Sequence, residues 1–200
     1  MHARQAGRRV PPLSDAVGAL CDRGRRAEAA KAVKEVRPTT GKTLGALFSI
    51  LGPLHGMSFL DLFSGTGRVA AEARKRGASI VTVELVRERA SAIRRTLGDT
   101  SHIQLCMDVR RALNWCEKRN MSFDVIFADP PYEMKWMSEL PGILAVHAGL
   151  LKSDGVIVIE RSESEPLMLE NTPWELVDER RYGISVLDFL KLKETEHVQA

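Results

Sequence analysis

The chain has 200 residues, 44% of them apolar and 28% charged, with a formal net charge of +3 at pH 7. This balance supports one substantial core; no stretch approaches the roughly 18 consecutive apolar residues of a membrane span, and the polar, Arg-rich start lacks the apolar centre of a secretory signal, so a cytoplasmic protein is expected. Cys21, Cys106 and Cys116 are odd in number and form no C-x-x-C pair, which favours reduced core thiols, and the five scattered histidines give a metal site no support.

Taken in chain order, residues 1–37 carry nine Lys+Arg against four Asp+Glu, net +5, so the remainder is −2. Such a basic arm would be attracted to a phosphate backbone, although a solvated helical face accounts for the same charges. Residues 13–36 read as helical, with Ser14 a candidate N-cap and a break near Gly24, so 1–36 is expected to be a basic helical extension. A helix starting at Thr39 or Thr40 follows, with Leu44, Leu47, Phe48 and Leu51 on one face and Gly52-Pro53 as its stop.

From Ser58 onward, short apolar runs alternate with amphipathic helices. Strands are expected at Phe59–Phe63, Ile80–Glu84, Ile103–Cys106, Phe123–Ala128 and Val156–Glu160. Between them, Val69, Ala70 and Ala73 share a helical face, as do Val86, Ala90, Ile93 and Leu97, and then Val109, Ala112, Leu113 and Cys116. Trp174–Arg181 and Ile184–Leu192 pair as a closing hairpin around Tyr182-Gly183. The pattern predicts an α/β fold: a mostly parallel seven-stranded sheet, helices on both faces, and an antiparallel edge hairpin. A domain over 37–192 and a tail over 193–200 complete the expected organisation.

In such a sheet, ligands gather beyond the carboxyl ends of the strands, and the sharp motifs fall there. Asp61-Leu62-Phe63-Ser64-Gly65-Thr66-Gly67 closes the first strand, and Gly65 and Gly67 permit a tight turn and a close approach of ligand to backbone. Glu84 ends the second strand, where a carboxylate can accept from both hydroxyls of a ribose. Asp108 precedes a helix and can accept from an adenine amine, cap that helix, or do both. One nucleoside could touch all three strand ends. Ala70 at the third glycine position still admits a dinucleotide, so the fourth strand has to decide.

That strand runs into Asp129-Pro130-Pro131-Tyr132. Consecutive prolines fix φ and remove two amide donors, leaving rigid carbonyl acceptors. An exocyclic base amine could give one N–H to the Asp129 carboxylate and the other to the Pro130 carbonyl, while Tyr132 stacks on the base. The electrophile implied is a sulfonium methyl, and in-line transfer needs neither metal nor covalent nucleophile. Trp136, on the following helix, fits either a core position or an extension of the base platform.

These residues resemble the RsmD-like group of class I methyltransferases, which modify guanine N2 in small-subunit ribosomal RNA. The similar stretches are Arg37-Pro38-Thr39-Thr40, Leu47-Phe48, Asp61–Gly67, Glu84, Asp108 with Ala112-Leu113, Phe123–Tyr132, Leu150-Leu151 with Gly155–Glu160, and Trp174 with the Gly183 hairpin. The resemblance implies a Rossmann-like fold and S-adenosylmethionine held by Asp61, Phe63, Gly65, Gly67, Glu84, Leu85, Asp108 and Val109. It implies a target base at Asp129, Pro130, Pro131 and Tyr132, and RNA, free or in an assembling ribonucleoprotein, as partner of a monomeric enzyme. The chain departs from the group at Gly41-Lys42-Thr43-Leu44-Gly45, where Asp-Arg-Val-Arg-Glu is usual, and in its helical rather than β-hairpin opening. Those departures keep DNA adenine, a protein amide, or a non-catalytic nucleic-acid-binding role as alternatives.

Overall fold

The computed structural model describes residues 41–98, 100–132 and 135–194. The expected extension over 1–36, Cys21 and the Arg37-Pro38-Thr39-Thr40 segment lie outside the described residues. Helix α1 spans Gly41–Leu51, buries Leu47 and Phe48 as their spacing predicts, and ends where Gly52 takes a left-handed φ of +71°.

Five strands then alternate with helices: β1 Ser58–Leu62, α2 Arg68–Lys75, β2 Ser79–Val83, α3 Arg87–Leu97, β3 His102–Leu105, α4 Val109–Glu117, β4 Phe123–Ala128, α5 Trp136–Val146 and β5 Leu151–Ser162. The hairpin β6 Trp174–Tyr182 and β7 Ser185–Leu192 closes the sheet, whose strand order is β3-β2-β1-β4-β5-β7-β6. β1 to β5 run parallel and β7 lies antiparallel between β5 and β6. The mostly parallel sheet with its antiparallel edge is therefore as expected. So are the helix faces: Val69, Ala70 and Ala73, then Ala90, Ile93 and Leu97, then Val109, Ala112, Leu113 and Cys116 are all buried.

Several boundaries need correction. Phe63 leaves the strand into a left-handed φ of +62°, and the hairpin loop is Gly183-Ile184 rather than Tyr182-Gly183, with the left-handed φ of +65° at Gly183. β5 begins five residues before the apolar run Val156–Glu160, because Lys152, Ser153 and Asp154 are exposed and carry no apolar signal. Val86 caps the start of α3 instead of packing beneath it.

The sheet divides two apolar layers. α1, α2 and α3 cover one face through Phe48, Ala70 and Ile93, while α4 and α5 cover the other through Leu113, Leu140 and Leu144. α5 carries Pro141 within it, which has no N–H to offer the Met137 carbonyl one turn back. The Met168 amide donates to that carbonyl instead, at 3.3 Å. Trp174, 1% exposed, donates its indole N–H to the Pro141 carbonyl at 2.8 Å, tying the edge hairpin to α5. Among the described residues, no helix is long and apolar enough to cross a membrane. Trp174→Phe is expected to lower stability by about 1–2 kcal/mol through loss of this buried bond, read as a lower urea midpoint at an unchanged slope.

Candidate active site

The strand order reverses between β1 and β4, and open α/β sheets bind ligands at such a point. Leu62 pairs with Ala128 across this junction, so the loops that follow, Phe63–Gly67 and Asp129–Tyr132, leave the sheet side by side. β2 and β3 bring Glu84 and Asp108 to the same rim.

Asp61 is the next-to-last residue of β1, ahead of the glycine loop, and is 1% exposed. Burial, followed by the nearby Glu84 carboxylate, pushes its carboxyl up to about 8, against a hydrogen bond from the Ala70 amide. Its Oδ2 is fully buried without a hydrogen-bond partner. Nothing in composition or spacing signals that orphaned acceptor.

The loop is zipped to its neighbours by the backbone. The Ser64 amide donates to the Val83 carbonyl at 2.9 Å and the Gly67 amide to the Ser64 carbonyl at 2.7 Å. The two glycines do different jobs. A Cβ on Gly67, at φ +77°, would lie 2.9 Å from Ile93 Cγ1, so this glycine lets α3 pack against the loop. Gly65, at φ +53°, has only the Phe63 carbonyl within 4 Å of a Cβ position and stays open to a ligand.

Glu84 is 6% exposed. Its Oε2 accepts from the Gly65 amide at 2.9 Å and its Oε1 from the Val86 amide at 2.7 Å. Burial raises its carboxyl above the ordinary value, partly offset by these bonds and by Arg89. The Leu85 amide bonds to it as well, and since a carboxylate has about four acceptor positions, about one remains for a further donor. Asp108 caps α4, its Oδ1 accepting from the Arg110 amide at 2.9 Å, which realises the capping role read from the sequence. Leu85 is half-buried beside Glu84, and the Val109 side chain is buried with the α4 and α5 core.

On the fourth strand, Asp129, Pro131 and Tyr132 are half-buried and Pro130 is buried. Beyond them the sequence gives no hint of an aromatic and ionic brace. The Arg110 guanidinium lies 4.8 Å from the centre of the Trp136 ring, bonds to the Glu139 carboxylate, and comes within 3.9 Å of Asp108 Oδ2. Trp136 meets Phe63 edge to face, with ring centres 4.7 Å apart. Trp136 is thus half-buried on the crevice rim, joining the start of α5 to the loops after β1 and β3.

A crevice with an open glycine turn and carboxylates at the ends of the next two strands, on a sheet whose seventh strand is inserted antiparallel beside the edge, has the architecture of class I methyltransferases, which draw their methyl group from S-adenosylmethionine. Within that class, the model of the family described as Conserved hypothetical protein 95 matches residues 20–191, and the chain belongs to this family. YlbH of Bacillus subtilis, whose name proposes rRNA methyl transfer, is 33% identical over 157 residues, 74% of this chain and 84% of that protein. Ribosomal RNA small subunit methyltransferase D of Haemophilus influenzae is 29% identical over 155 residues, covering 74% and 79%. The likeness to the RsmD-like group is accordingly one of family. A conserved protein of Streptococcus pyogenes has a solved structure that superposes with a TM-score of 0.63 at 30% identity, covering 73% of this chain and 92% of that one. A more distant solved methyltransferase, complexed with SAH, shares the fold at a TM-score of 0.61 and 16% identity, over 76% of this chain and 49% of that one.

Two outcomes follow from this geometry. Gly67→Ala is expected to cost about 1–3 kcal/mol, from the left-handed backbone and the Ile93 contact together, and Gly65→Ala distinctly less; urea denaturation separates them. Asp61 binds a proton more tightly in the folded chain than in the unfolded one, so its contribution to stability is complete below about pH 4 and is lost as pH rises toward 8. Glu84 acts in the same direction. In the ligand-free chain, Asp61→Asn is expected to flatten that decline, which has a limiting slope of about 1.4 kcal/mol per pH unit for one group, in unfolding curves taken from pH 4 to 8.

Proposed function

We propose that the chain transfers the methyl group of S-adenosylmethionine to the exocyclic amine of a base in RNA, with guanine N2 of small-subunit ribosomal RNA as the target. In this reading residues 37–192 form the methyltransferase domain and the chain works in the cytoplasm as a monomer on free or assembling ribosomal RNA. The observation that carries it is the placement of Asp129-Pro130-Pro131-Tyr132 directly across the β1–β4 junction from the glycine loop. The names of the relatives support RNA as the substrate class.

S-adenosylmethionine is the cofactor, and the residues present fit it. The buried Asp61 Oδ2 lacks a donor, and a cofactor ammonium or a water held by it is of the right chemistry to supply one. Glu84, held in place by the Gly65 and Val86 amides, retains an acceptor position for a ribose hydroxyl. Asp108 caps α4 through Oδ1, and its Oδ2, 3.9 Å from the Arg110 guanidinium, is the oxygen that would receive an adenine amine. Gly65 presents backbone without a side chain, and Phe63, Leu85 and Val109 supply the apolar surround. When bound, the cofactor supplies an electrophilic methyl group on sulfur.

The chain's own residues then act on the base. The Asp129 carboxylate and Pro130 carbonyl accept the two amine hydrogens and turn the nitrogen lone pair toward the cofactor. Tyr132 stacks on the ring, and Pro131 holds the segment rigid. The amine is a weak nucleophile because its lone pair is delocalised into the ring. As positive charge grows on nitrogen, both acceptors bind its hydrogens more strongly, so they favour the transition state over the ground state. Asp129 or water takes the departing proton.

Asp129→Ala is expected to lower methyl transfer at least 100-fold while leaving cofactor affinity within about threefold, measured with labelled cofactor and by calorimetry. Unchanged turnover would remove Asp129 from the mechanism. Label recovered in DNA or protein rather than RNA would move the substrate class, and nucleoside mapping of cellular RNA with and without the protein identifies the base.

A further inference from the structure

Charge on the described surface is divided by position in the fold. α2 with the residue after it, 68–76, carries four cations against Glu72, and α3 carries four against Glu88, each net +3. Residues 162–192, which lead into and form the edge hairpin at the opposite end of the sheet, hold seven acids and three bases, net −4. Both basic helices lie on the same face of the sheet.

Where the cations sit is as informative as their number. A helix that follows a parallel strand begins at the strand's carboxyl end, so the first turns of α2, α3 and α4 all open on the crevice. Those turns hold Arg68, then Arg87 and Arg89, then Arg110 and Arg111. The positive end of the helix macrodipole disfavours cations there and favours acids; α4 has Asp108 as its N-cap and α3 has Glu88, while α2 has no acid in its first turn. Arg110 is engaged with Trp136 and Glu139, and Lys75 and Arg76 at the far end of α2 both pair with Glu72. Arg87 is exposed and forms no ion pair among the described residues, and the same is true of Arg95 near the other end of α3. Helix propensity, capping and packing give no reason for Arg87 at that position.

From this placement we infer that the exposed face of α3, continued by Arg68 at the start of α2, is the track along which the RNA backbone runs from the crevice mouth, and that the edge hairpin faces away from it. The inference rests on the RNA reading above and adds the direction from which the substrate enters. α3 is about 16 Å long, enough to span several phosphates. A single strand releases about 0.7 counterion for each phosphate neutralised, so removal of two contacts is visible in the salt dependence.

The test uses the full chain, a short single-stranded RNA, and two double charge reversals that change net charge equally. Arg87→Glu with Arg95→Glu is expected to weaken RNA binding at least tenfold at 0.1 M salt and to reduce the slope of log affinity against log salt by about 1.4, with cofactor affinity unchanged. Arg180→Glu with Lys191→Glu, on the hairpin, is expected to leave RNA affinity within twofold. Arg87→Glu alone should not lower the melting temperature, because glutamate suits the first turn of a helix better than arginine. Equal losses in the two pairs would reduce the effect to net charge and overturn the track. So would unaltered binding in the α3 pair, or a loss of binding accompanied by a fall in melting temperature. A wild-type chain that binds cofactor but no RNA would overturn the RNA reading itself, and the track with it.

Discussion

Parallel pairing of β1 with β4 in the register Leu62↔Ala128 decides which loops face one another. The residues ahead of that junction, Asp61 and the glycine turn, leave on one side, and Asp129 to Tyr132 leave on the other. A slip of one residue would turn Asp61 from the interior and carry the proline pair to the other face, because side chains alternate along a strand. The register is held from both faces of the sheet: Phe59 and Phe127 pack with α1 to α3, and Leu60, Leu62 and Ala128 with α4 and α5. Packing on two sides is what permits a carboxylate such as Asp61 to be buried without being fully paired. The same burial raises the affinity of its carboxyl for a proton and leaves Oδ2 without a partner beneath the glycine turn.

The alternation of apolar runs and amphipathic helices made the five parallel strands and their helices readable in sequence, since strands covered on both faces are almost continuously apolar. Buried helix positions followed from spacing for the same reason. What the pattern missed was polar or conformational. After the buried Leu151, residues Lys152, Ser153 and Asp154 of β5 are exposed and polar, so their strand character carries no apolar signal. Phe63 belongs by composition to the strand, and its left-handed turn is dictated by the loop that the glycines begin.

At the site, the residue types were legible and their division of labour was not. Glu84 and Asp108 stand at strand ends because sheet and helix periods meet there, which is a local property. The separation of Gly65 from Gly67 depends on Ile93, from a helix that follows the next strand. The Arg110, Trp136 and Phe63 brace joins three elements that sequence order keeps apart. Family likeness ties the chain to methyl transfer, while the segment Gly41–Gly45, where polar residues are usual in the group, is in this chain the first turn of a helix whose Thr43 is buried.

The two halves of the crevice also differ in the length of chain that closes them. β1 joins β2 across a separation of 21 residues, Phe59 to Ile80, and joins β4 across 66, Phe59 to Val125. Loop-closure entropy grows only with the logarithm of length, so the longer closure costs only about 1 kcal/mol more. The larger difference is one of time. As the chain is made from its amino end, Asp61, Glu84 and Asp108 are all present before any residue of β4 exists. The half of the crevice built on β1, β2 and β3 therefore has its full complement of strands early, and the half built on β4 is the last part of it to be threaded into the sheet.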